Sequence, residues 1–126
     1  MRLCGDHPAG RTAIVALPAE IDVNNSDEVF RQLSTALRSG VELLIADFSE
    51  TIYCDVSAIR AIVRALDQTD GTGAELRLVV PPGPVRRLLD LIRLDGRLPV
   101  YASPGQAGAA GTGQASAALG GERESR

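Results

Sequence analysis

Asp55 and Ser57 are the residues of this sequence best placed to do chemistry. They stand two apart in the turn Tyr53-Cys54-Asp55-Val56-Ser57-Ala58-Ile59. Three readings of the pair compete. A nucleophilic serine needs a base, and the single histidine, His7, lies far off in sequence. No Gly-x-Ser-x-Gly elbow surrounds Ser57, so catalysis is a poor reading. As plain structure, Asp55 caps a helix and Ser57 takes its second or third position, because side-chain oxygens accept there from free backbone N–H groups. As a switch, Ser57 displays a phosphorylation site at the positive end of a helix dipole, where a dianion changes the local charge sharply. Residue types alone favour the structural reading.

Two elements must hold this turn. Leu43-Leu44-Ile45-Ala46-Asp47-Phe48 before it is an aliphatic run that suits a strand buried on both faces. After it, Ile59, Ile62, Val63 and Leu66 recur at the spacing of an amphipathic helix. Upstream, Thr12 to Leu17 reads as a strand that Pro18 interrupts, with Glu20-Ile21 extended again. Asp22 to Ser26 then turns into a helix whose buried stripe is Val29, Phe30, Leu33, Ala36 and Leu37. Asn25 with Glu28 resembles a capping box there, and Gly40 is the stop signal. Downstream, Glu75 to Val80 is a strand, Pro84 opens a third helix faced by Val85, Leu88, Leu89 and Ile92, and Val100-Tyr101 is a short last strand. Residues 1–11 read as an irregular entry. Residues 103–126 are Gly, Ala, Ser and Gln with almost nothing large and apolar, and are expected to be disordered. Strand and helix alternate, which implies an α/β fold with parallel pairing and the Thr12–Leu17 strand at one edge of the sheet.

Composition narrows the chemistry further. The chain has 126 residues, a length for one domain, and a formal net charge of -3 that offers no general attraction to nucleic acid or anionic lipid. All 13 basic residues are arginine, which excludes a P-loop lysine, a Schiff base and a Ser–Lys dyad. Cys4 and Cys54 form no Cys-x-x-Cys pair and, with one histidine, cannot build a zinc site unaided. No metal or other cofactor is expected. Free thiols suit a reducing cytoplasm, and no apolar run has the length of a signal sequence or a membrane span. Cys54 reads as a small buried hydrophobe, Arg86-Arg87 as a solvated helix face, and Gly71-Thr72-Gly73 as a helix end.

Four segments in order resemble the STAS domain of bacterial anti-sigma factor antagonists. They are Ala19-Glu20-Ile21-Asp22, Leu43 to Ser49, Asp55-Val56-Ser57-Ala58-Ile59, and Glu75 to Val80 followed by Pro84 to Leu89. The family shows Gly-Glu-Leu-Asp, an aliphatic strand ending in Asp-Leu-Ser, and Asp-Ser-Ser-Gly-Leu; here Ala19, Val56 and Ala58 depart from it. The resemblance covers roughly Thr12 to Ala102, and implies one STAS domain over 12–102 with a mixed, mostly parallel sheet of about four to five strands. It also implies a non-enzymatic protein that binds an anti-sigma factor with serine kinase activity and lets go once phosphorylated. Ser57 matches the phosphorylated serine and Asp55 the aspartate before it. Asp22, Asn25, Asp55, Val56, Ser57, Ala58 and Ile59 are then the expected partner-binding surface. The rival readings are a STAS scaffold that takes no phosphate, and a small-ligand module using a pocket at the strand C-termini.

Overall fold

A computed structural model describes residues 2–7, 10–92 and 98–109. Strands β1 (Arg2–His7), β2 (Gly10–Ala16), β4 (Leu43–Asp47), β6 (Glu75–Val79) and β7 (Val100–Tyr101) form one sheet in the order β1-β2-β4-β6-β7. Strands β2, β4, β6 and β7 run parallel, and β1 is antiparallel to β2 with a register shift between Leu3 and Asp6. A separate ladder of two residues each joins β3 (Glu20–Ile21) to β5 (Tyr53–Cys54), also in parallel. Helices α1 (Ser26–Arg38), α2 (Val56–Thr69), α3 (Pro84–Ile92) and α4 (Pro104–Ala109) complete the described elements. The α/β class and the mixed sheet agree with the sequence reading.

Alternation along the strands divides the sheet into two unlike faces. Ala13, Val15, Leu44, Ala46, Leu76 and Leu78 share one core with Val29, Leu33 and Leu37 of α1, Ala58, Ala61, Ile62 and Ala65 of α2, and Val85 and Leu89 of α3. Leu43, Ile45, Val79 and Tyr101 form a second, smaller cluster with Ala107 of α4. Arg77 is fully buried at the centre of β6. Its guanidinium reaches Glu75 at 2.9 Å and the Ala107 carbonyl at 2.6 Å, so the charge is answered on both sides.

Four expectations need correction. Residues 2–7 are a strand and not an irregular entry, and its pairing places β2 one position in from the sheet edge. Residues 104–109 are a helix and not disordered tail; small residues there fit close to the sheet, and Arg77 supplies the anchor that their composition lacks. The rest of the expected tail, 110–126, lies outside the described residues. The Asn25–Glu28 capping box is absent: Glu28 pairs with Arg31 at 2.7 Å, and Asn25 makes no cap bond to the helix. Finally, Arg86 is half-buried, with its guanidinium donating to the Val80 carbonyl, while Arg87 is exposed. Gly40 does end α1, with φ of +91° just past its last turn.

Candidate functional site

The β3–β5 ladder is what builds the site. Ile21 pairs with Cys54, and the Ile21 carbonyl accepts from the Asp55 N–H at 3.2 Å. The loop after β3, which carries Asp22, is therefore fixed beside the loop after β5, which carries Asp55 and Ser57. Each loop is also tied within itself. Asp22 Oδ1 accepts from the Asn24 N–H at 2.9 Å. Asn25 Oδ1 accepts from the Asp22 N–H, and its Nδ2 donates to the Glu20 carbonyl at 2.8 Å. Both ends of the Asn25 side chain thus hold its own loop.

Asp55 is the N-cap of α2, extended at φ −116° and ψ −168°. Its Oδ1 accepts from the Ser57 N–H at 2.8 Å and from the Ser57 hydroxyl. The hydroxyl bond, followed by backbone N–H donors, holds the Asp55 carboxyl below the usual aspartate range against some opposing desolvation. Burial, and then the Asp55 charge, push the Cys54 thiol up, away from the thiolate that redox chemistry needs. Cys54 is a buried hydrophobe, as its type suggested.

The expected surface residues part company here. Asp22, Asn25, Asp55 and Ser57 are half-buried, and Val56 is 49% exposed. Ala58, 1% exposed, and Ile59 are instead buried on the inner side of α2 and packed into the core, Ile59 with one edge on the groove beside Val56. Helical spacing explains the split: Val56 and Ser57 fall on the outer side of the first turn, and the next two residues on the inner side. Sequence reasoning missed three exposed apolar residues on these same segments, Val23 at 75%, Ile52 at 70% and Tyr53 at 54%. The available signal was that each lies in a turn or short ladder outside any buried stripe.

Two hollows lie near the site. One of about 290 Å³ sits at the ends of β4 and β6, walled by Phe48, Ser49, Thr51 and Pro81 to Val85. Its hydroxyls are already engaged, Ser49 with Asp47 and Thr51 with the Pro18 carbonyl, so few polar groups are left to orient a ligand. The other, about 510 Å³, is an open groove along α2 formed by Val56, Ile59, Val63 and Ile92 with Arg60 and Arg64. Among the described residues no cluster of three His, Cys, Asp or Glu could hold a metal, and no helix is long and apolar enough to cross a membrane.

The family model of the STAS domain matches residues 8–107, and the chain belongs to that family. Solved structures agree in fold. An anti-sigma factor antagonist from Mycobacterium paratuberculosis superposes with a TM-score of 0.72 at 17% identity, covering 84% of this chain and 87% of its own. The anti-sigma factor antagonist SpoIIAA in its unphosphorylated form gives 0.58 at 19% identity, over 75% and 83% of the two chains. The Bacillus cell fate determinant SpoIIAA in the phosphorylated form also gives 0.58, at 20% identity over 76% and 86%. No curated protein matches the sequence significantly.

Proposed function

We propose that this STAS domain is an anti-sigma factor antagonist that docks on an anti-sigma factor with serine kinase activity and is released by phosphorylation of Ser57. The observation that carries the reading is the Ser57 hydroxyl, half-exposed on the first turn of α2 and held by Asp55 between segments that expose Val23, Ile52, Tyr53 and Val56. Apolar side chains on rigid, hydrogen-bonded loops suit a protein interface, because little ordering entropy remains to be lost on docking. In phosphoserine the Ser57 Oγ carries phosphorus in place of hydrogen, so Asp55 loses one of its two donors and faces a dianion. About -1.5 to -2 charges then stand in the middle of the apolar contact, where an unpaired charge is costly to bury. Thr51 is a worse acceptor, since it is buried and donates to the Pro18 carbonyl; Ser49 is exposed and tied to Asp47 as Ser57 is to Asp55, so what sets Ser57 apart is its place on the first turn of α2.

The test is capture of the anti-sigma factor from native extract on wild-type and Ser57→Asp baits, then addition of ATP and mapping of the phosphate. Wild type should retain the partner and take one phosphate on Ser57. Ser57→Asp should bind more weakly than Ser57→Ala by roughly 2 kcal/mol or more, about what an unpaired interfacial charge costs. Equal binding by the two variants would leave a scaffold that takes no switch, and phosphate on Ser49 with Ser57 bare would overturn the site.

A further inference from the structure

Arg60 is the cation of this surface that lacks an anion. It is exposed, and among the described residues it makes no hydrogen bond or ion pair. Its helical neighbours three and four places away are Val56, Ser57, Val63 and Arg64, none of them acidic. Arg64 is occupied elsewhere: its guanidinium stacks over the Phe30 ring at 3.9 Å and reaches Asp27 at 3.4 Å, both on α1. Arg60 and Arg64 are like charges at i,i+4, a spacing that repels, and only Arg64 has a partner to relieve it. Positive charge is therefore left in excess one turn from Ser57.

The direction of the side chain matters as much as its charge. On a helix, long side chains lean toward the N-terminus and cover the preceding turn. For Arg60 that turn is the one carrying Ser57, three residues back, where side chains are neighbours. Val56, Ile59 and Val63 give the groove its apolar floor, along which the arginine stem can lie while the guanidinium stays in water.

We propose that Arg60 is the receiver for a phosphate on Ser57: the guanidinium pairs with the phosphate oxygens across one turn of α2. The proposal rests on phosphorylation of Ser57 as read above and adds what the phosphate binds. In the unmodified chain Ser57 donates to Asp55, on the N-terminal side of the turn. With the O–H replaced by O–P, Asp55 becomes a repelling neighbour and Arg60, on the other side, an attracting one. Asp22 stands on the adjoining loop, its carboxylate accepting from the Asn24 N–H, so both acids of this site precede α2 while Arg60 lies one turn into it. Phosphorylation then alters two places at once, adding a dianion at Ser57 and withdrawing Arg60 from any acidic group of a partner.

The experiment places phosphoserine at position 57 during translation of the full chain and follows its 31P shift from about pH 4 to pH 8. Free phosphoserine has its second pKa at about 6. A paired cation favours the dianion, so Arg60→Gln should titrate about 0.2 to 0.7 unit above wild type, the size of an exposed ion pair. Arg60→Lys should keep part of the wild-type depression, since the charge survives without the planar fork. Arg64→Gln should titrate like wild type. An Arg60→Gln protein indistinguishable from wild type, or an Arg64→Gln protein shifted as far, would overturn the pairing. Because the phosphate is installed without a kinase, that outcome is separate from failure of the kinase reading, which partner capture and phosphate mapping decide.

Discussion

Asp55 and Ser57 share one oxygen, and the sharing is unequal. Asp55 Oδ1 receives both the Ser57 N–H and the Ser57 hydroxyl, so removing the carboxylate strips the helix start of its cap, while removing the hydroxyl leaves the N–H bond in place. Ser57→Ala should cost at most about 1 kcal/mol, the worth of one hydrogen bond, and Asp55→Ala should lower the melting temperature further. Equal melts would remove Asp55 from the capping role. The pH dependence follows from the lowered Asp55 carboxyl, whose ordinary value is 3.8. A depressed acid stabilises the fold fully above its unfolded pKa and loses that contribution as pH falls through the folded one. The gap in melting temperature between wild type and Asp55→Ala should therefore be full near neutrality and close only below about pH 4. This pair was legible in the sequence because a cap is a local matter. Arg60 was not, since an arginine on a helix looks the same with a partner or without one.

The elements were legible where periodicity decided them. Ile59, Ile62, Val63 and Leu66 announced α2, although three of its six buried residues are Ala58, Ala61 and Ala65, small residues that carry little hydrophobic signal. Asn25 shows the opposite case, a residue of the right type whose side chain is drawn back to the β3 backbone. Helix α4 was hidden for a different reason: its Gly and Ala residues have no stripe of their own, and what fixes it is Arg77, thirty positions upstream. Cutting the chain after Ala102 should consequently lower stability, by about 1.5 to 3 kcal/mol from the lost carbonyl on Arg77 alone, a bond to a charged group. An unchanged chemical-denaturation midpoint for the truncated protein would mean that α4 is not part of the cooperative fold.

At the scale of the molecule, the crossovers place α1, α2 and α3 together on one face of the sheet, and among the described residues α4 is the helix on the other. Parallel order was legible from the alternation of strand and helix, but β1 was not, because its Gly, Asp and His give no alternating pattern. That strand matters to the whole, for it closes the outer edge of β2. Removing residues 1–9 should lower the melting temperature and bring concentration-dependent association by light scattering, as a bare edge recruits another chain. A truncated protein that stays monomeric with its melt unchanged would show that β2 needs no cover.

The alanine seam of α2 has a consequence for how this molecule could carry a signal. Ala58, Ala61 and Ala65 stand in the core with Ile59 and Ile62, so rolling or sliding the helix would open voids and expose apolar surface. A group added at Ser57 therefore meets a helix that is costly to displace. Under the reading proposed above, the message is written on the outside, as a changed label on an unchanged body, and a reader must touch the label to receive it.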